Sequence, residues 1–161
     1  PSEWCIIEPS EKERKGNTTM KAVRIARKPT YINFPERVSL EDMYKAIGCR
    51  MVQYVDLPKI TELVFGTDSE YQLVMVCDEE GKLSDKPIYN TKATALFMCE
   101  YGESDIIAGK VLLLKTDRMG NTLSLDGVEI DRLRYVLKHR IIRNATHRIA
   151  MKLCWNGLDI F

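Results

Sequence analysis

From Met20 onward, apolar and polar residues fall into two distinct rhythms. "KAVRIAR" places Val23 and Ile25 on one register of period two, the mark of a half-buried strand. "YINF", residues 31–34, is a second short strand candidate closed by Pro35. The rhythm changes at "SLEDMYKAIG", where Leu40, Met43, Tyr44 and Ile47 fall at i, i+3, i+4 and i+7. That spacing predicts a helix with Ser39 as N-cap, Asp42 as its capping-box partner and Gly48 as its stop. "CRMVQYVDL" alternates again as far as Pro58 and reads as a strand, and "TELVFG" reads as a short one. "YQLVMVCDEEGKL" predicts a strand running into a turn over residues 79–82, a hairpin. "NTKATALFMCEYG" is ambiguous, although Ala93, Ala95 and Leu96 allow a short helix capped by Asn90 or Thr91. "DIIAGKVLLLKTD" is the most apolar strand and is therefore expected near the centre of a sheet. "RMGNTLSL" turns at Gly120-Asn121 into a further strand.

The C-terminal third is helical in pattern. Asp126 is a candidate N-cap with Glu129 at N3, and Ile130, Leu133, Leu137 and Ile141 line one face, with Asn144 as a candidate end. The closing "RIAMKLCWNGLDIF" is apolar enough to pack on the body, with Trp155 and Phe161 as anchors. The order of elements gives an α+β fold: a mixed or antiparallel sheet, one helix in the N-terminal half and a basic C-terminal helix. The composition breaks at Met20. Residues 1–19 are expected to be flexible or extraneous to the body, with a short docking strand around Trp4, Ile6 and Ile7 as the alternative. Residues 20–161 are expected to form a single α+β domain.

At 161 residues, 45% hydrophobic and 29% charged, the chain is long enough and ordinary enough to bury one core. No apolar run approaches the roughly 18–20 residues of a membrane span, and the start lacks a secretory pattern. Both point to the cytoplasm. The five cysteines are scattered, odd in number and without zinc spacing, which fits buried free thiols in a reducing compartment.

Charge changes the picture. Between Met20 and Ile130 stand fourteen Lys/Arg and seventeen Asp/Glu, whereas Asp131 to Lys152 holds seven Lys/Arg and one Asp. "RLRYVLKHRIIRNATHRIAMK" also carries both histidines, His139 and His147. Such a concentration favours an anionic partner. The candidate ligand contacts in this segment are Arg134, Lys138, Arg140, Arg143, His147 and Arg148. In "YNTKATA", Asn90 and Thr94 offer side-chain hydrogen bonds and Lys92 adds charge at a helix start, which makes them candidates as well. Simple capping by Asn90 or Thr91 is the competing reading. No nucleophile–base pairing, HExxH, P-loop, GxGxxG or GxSxG is present, and the acids of "CDEEGK" read as solvated rather than metal-binding. Neither a catalytic set, a metal site nor a cofactor is expected. Enzyme is the minority reading.

Several blocks, in this order, carry a resemblance to a known family: "MKAVRI", the helix leading to "AIGCRMVQYV", "LVMVCDEEGKL", "YNTKATAL" and "DIIAGKVLLL". From Met20 to about Lys115 the chain resembles domain-of-unknown-function family 3846, found in phage and mobile-element genes. The resemblance brings no catalytic residues, and residues 1–19 and the tail after Lys115 depart from the short family pattern. It implies an accessory protein made during infection or transfer, often one that blunts a host defence. Combined with the basic segment, it suggests a non-enzymatic anti-defence protein in the host cytoplasm that sequesters an anionic, nucleotide-type immune signal. The alternatives are a protein inhibitor docking on a host defence complex and a DNA- or RNA-binding accessory protein. No membrane partner is expected, and self-association into a homo-oligomer stays open.

Overall fold

The most apolar strand candidate does lie at the middle of the sheet. The computed structural model describes Cys5–Ile6 and residues 19–161. The strands are β1 (Cys5–Ile6), β2 (Met20–Ile25), β3 (Pro29–Phe34), β4 (Val52–Asp56), β5 (Gln72–Asp78), β6 (Val111–Thr116) and β7 (Thr122–Leu123). The helices are α1 (Leu40–Ile47), α2 (Pro58–Phe65), α3 (Thr91–Tyr101), α4 (Gly127–Lys138) and α5 (Arg140–Trp155). Spatial order in the sheet is β1-β3-β2-β6-β5-β4, with β7 paired to the end of β6 beyond β2. All neighbours are antiparallel except β1 and β3, which are parallel. The fold is α+β around an open, largely antiparallel sheet. Of residues 1–19, Cys5–Ile6 pair with Thr30 and Tyr31; the expectation for the rest of that segment, up to residue 18, lies outside the described residues.

Period-two alternation sends β6 side chains to two cores. Leu112 and Leu114 pack with Met20, Ala22, Phe34 and Val76 under Met43 and Ile47 of α1. Val111 and Leu113 face the larger core beneath α2, α3, α4 and α5. The described residues thus form three layers, with one helix on one face of the sheet and four on the other. The cap of α1 is as its sequence implies. Ser39 Oγ accepts from Asp42 N, the Asp42 carboxylate accepts from Ser39 N, and Gly48 closes the helix at φ 81°.

Several local expectations fail for identifiable reasons. "TELVFG" is not a strand but most of α2, which starts with Pro58 at its first turn and stops at Gly66. Short apolar runs are ambiguous between helix and strand. Here Ile60, Thr61 and Val64 turn inward, and the Glu100 carboxylate accepts from Lys59 N and Ile60 N, the cap that Leu57 cannot provide. No hairpin follows β5. The chain instead makes a 3-10 turn at Gly81–Leu83 and crosses through α3 before returning as β6. Gly81 is needed there, because a Cβ would sit 2.9 Å from the Ala108 carbonyl oxygen.

The basic C-terminal helix is two helices. His139 takes an extended conformation (φ −60°, ψ 143°), ends α4 and caps α5 with Nδ1 accepting from Ile141 N. Ile130, Leu133 and Leu137 are buried as expected, but Ile141 belongs to α5 and is 62% exposed. Asn144 ends nothing and lies exposed within α5. Because Ile142, Ala145, Ile149 and Leu153 face inward, Trp155 points outward and is 91% exposed, so it is no anchor. The tail is held instead by its backbone, with Phe161 N donating to the Tyr89 carbonyl, and by Ile160 packed against the core.

Candidate anion-binding site

Helix α3 begins beside α5, and its first residues are fixed from below. Asn90 is fully buried; its Oδ1 accepts from Ala93 N, and its Nδ2 donates to the carbonyls of Ile25 and Gly109 at 2.9 and 3.0 Å. Thr94 Oγ1 donates to the Asn90 carbonyl and accepts from Ile107 N. The hydrogen-bonding capacity of both residues is engaged inside the protein, tying β2, α3 and the loop before β6 together. Lys92, between them, is half-buried and opens onto a groove.

That groove, about 430 Å³, is walled by Lys92 of α3, Leu137 and Lys138 at the end of α4, and Arg143, Thr146, His147 and Ala150 of α5. Four of the residues singled out in the sequence therefore converge: Lys92, Lys138, Arg143 and His147. Among the described residues no acid lines the groove. Thr146 Oγ1 donates to the Ile142 carbonyl, which orients its oxygen as an acceptor. Buried Leu137 and half-buried Ala150 form the apolar bottom of the groove.

The other candidates are elsewhere. Arg134 donates from Nη2 to the Tyr31 hydroxyl and lies 6.0 Å from the centre of that ring, on β3. Arg140 is exposed in the first turn of α5 and lines neither this groove nor the cleft on the opposite side of the helix. Arg148 and Thr94 line that second cleft, about 570 Å³, with Lys152 and Lys82. Glu103 and Asp105 line it too, and Lys82 is paired with Asp105. Its charge is mixed. Of these two, the smaller groove presents a field of one sign, which is what concentrates an anion. Leu137, Thr146 and Ala150 were missed in the sequence because nothing in their spacing separates groove wall from core.

Three cysteines, Cys49, Cys77 and Cys99, are not primed as nucleophiles. Burial pushes the Cys77 thiol up to about 12, with Asp78 adding to it. Burial also raises Cys49 and Cys99, reinforced by Asp78 and Glu100 respectively. These thiols stay protonated near neutral pH, and the thiolate is the nucleophile. In "CDEEGK", Asp78 Oδ1 accepts from Glu80 N while Glu79 and Glu80 are exposed. Among the described residues no group of three or more His, Cys, Asp or Glu is placed to hold a metal ion. No helix among them is long and apolar enough to cross a membrane.

A family model described as "Domain of unknown function (DUF3846)" matches residues 20–138. The chain belongs to this family. The DUF3846 match runs past Lys115, where the likeness read from the sequence ends, and takes in α4. Lys92, Leu137 and Lys138 of the groove lie inside the matched range, and the α5 residues follow it. No curated protein and no solved structure matches the chain.

Proposed function

We propose that this DUF3846 protein binds a small anionic ligand of nucleotide type in the groove between α3, α4 and α5, and holds it without altering it. One observation carries the reading: four basic side chains from three helices, and no acid among the described residues, line a single groove. Charge-assisted hydrogen bonds to phosphate are among the stronger polar contacts, and an arginine can grip two phosphate oxygens at once. The groove's volume lies within the range of ordinary small-molecule sites, and half-buried Ala150 gives it an apolar element beside the charges. Holding such a ligand needs no general base. The phage and mobile-element setting implied by the family resemblance supplies the purpose: an accessory protein that withdraws a nucleotide-type immune signal in the host cytoplasm.

The test is calorimetric titration of nucleoside mono- and diphosphates and of a single-stranded oligonucleotide, at about 50 and about 200 mM salt. A small nucleotide should bind with a shallow salt dependence and be recovered unchanged by mass spectrometry. Arg143→Ala should weaken it roughly ten- to hundredfold, the loss of one charged contact, without lowering the thermal midpoint. Arg140→Ala should alter neither quantity. Preference for the oligonucleotide with a steep salt slope would move the reading to nucleic acid. A chemically changed ligand would make the protein an enzyme. No binding of any probe would remove the proposal.

A further inference from the structure

A second groove, about 490 Å³, lies between α2, α4 and the first turn of α5, and its character is opposite to the first. Its floor is Ile60, Val136 and Ile142, all buried. Its walls are Leu63, Tyr135 and Ile141, which are 63%, 70% and 62% exposed. Single exposed hydrophobic residues are ordinary on any surface, but three of them around one concavity form a patch that water covers poorly. Among the described residues the remaining lining includes three basic side chains, Lys59, Arg132 and His139, and no acid. Two of these are held in place: Lys59 Nζ donates to the Cys99 carbonyl, and Arg132 Nη1 donates to the Val64 carbonyl. His139 is held by its position as the joint between α4 and α5, its ring 5.9 Å from that of Tyr135.

We infer that this groove docks a short amphipathic segment of a partner protein, with apolar anchors flanked by acidic residues. A concave apolar floor accepts two or three side chains spaced along one face of a helix, which is how helix-in-groove recognition works. The basic rim selects acids beside those anchors and disfavours basic segments. A second copy of this chain is a poor occupant. A two-fold contact of the patch with itself would bring Lys59, Arg132 and His139 towards their own copies. A bilayer surface offers no knob to fill a hollow. The inference is independent of the anion site, because the two grooves share no lining residue.

The experiment selects short linear peptides from a displayed random library on the intact protein, then measures synthetic winners by fluorescence anisotropy. Enriched peptides should share two or three large apolar residues at helical spacing together with a net negative charge. Leu63→Ser and Ile141→Ser should each weaken the winning peptide about tenfold or more while leaving the thermal midpoint in place, as both side chains are exposed. Arg143→Ala should not affect it. A scrambled peptide of the same composition and vesicles containing phosphatidylserine should not bind. The inference is overturned if no peptide is enriched, or if winners bind the serine variants as well as the native chain. It is also overturned if vesicles bind and release with the same variants, which would make the patch a membrane contact. Sedimentation showing a dimer that Leu63→Ser dissociates would assign the groove to a second copy instead.

Discussion

Replacing Glu129 by alanine tests what fastens α4 to the sheet. Lys115, near the end of the central strand, holds both Glu129 carboxylate oxygens at 2.8 Å, and each side chain is only about a tenth exposed. The same carboxylate accepts from Asp126 N and completes the capping box of α4. On the other side, the Lys115 ammonium lies 4.2 Å from the centre of the Tyr71 ring and 5.5 Å from that of Phe65. Removing one partner of a buried pair leaves an uncompensated charge and costs about 3–5 kcal/mol. The two rings still solvate the ammonium, a contribution of about 1–2 kcal/mol, which moves the expectation to the lower end. Loss of the reciprocal cap adds a few tenths to about 1 kcal/mol. About 3 kcal/mol is therefore expected, and at this chain length that is a fall in thermal midpoint of roughly 6–12 °C. The assay is urea unfolding of Glu129→Ala, Lys115→Met and the double variant, with Asp126→Ala reporting the cap alone. The double variant should recover at least about 2 kcal/mol relative to the sum of the singles, since neither charge is then stranded. Strict additivity would refute the reasoning and leave Glu129 as a capping residue only.

Two further outcomes follow from the same bookkeeping of polar groups. Asn90→Ala should cost about 3 kcal/mol, because it removes the α3 cap and strands the buried carbonyl of Ile25 and the part-buried one of Gly109; thermal melting measures it, and a change below about 0.5 kcal/mol would show that water replaces the amide. Acid should destabilise the protein below about pH 4. Asp42, Asp105, Asp117 and Asp126 are all held below the ordinary 3.8, chiefly by bonds from Ser39 N, Lys82, the Asn121 side chain and Glu129 N respectively. A carboxylate depressed in the fold contributes stability above its unfolded value and loses it as pH falls through the depressed one. The urea midpoint should be level from neutral pH to about 4 and then drop, and a level profile down to about pH 2 would contradict the assignment of these caps.

Much of the architecture was legible because it is written in short-range signals. The box at Ser39 and Asp42, the caps at Asn90 and Asp126, and the apolar run that becomes β6 each state their role within a few residues. What was not legible depends on distant partners. Helix α2 borrows its cap from Glu100, forty residues downstream, so "TELVFG" alone carries no helix start beyond Pro58. The site divides the same way. The positive charge of the C-terminal segment is plain in the sequence, but Lys92 joins Lys138, Arg143 and His147 only because α5 packs across the start of α3. Asn90 and Thr94 have the same donors and acceptors whether they cap a helix or greet a ligand, and only burial tells the two apart.

The joint at His139 brings these observations together. An uninterrupted helix from Gly127 would keep Ile141 in line with Ile130, Leu133 and Leu137, and the basic residues would spread around one long rod. The sequence "KHRIIR" has no glycine or proline to announce a break. Yet the extended His139 turns the chain, and its imidazole nitrogen replaces part of the hydrogen bonding lost there. The turn exchanges Ile141 for Ile142 in the core and lays Ile142, Ala145, Ile149 and Leu153 down on the protein body. On one side of the bend, Lys138 is brought to Arg143 and His147 above Lys92. On the other side, the expelled Ile141 stands beside Leu63 and Tyr135. A single backbone conformation thus generates both the cationic groove and the apolar one, and a substitution that straightened this joint would abolish them together.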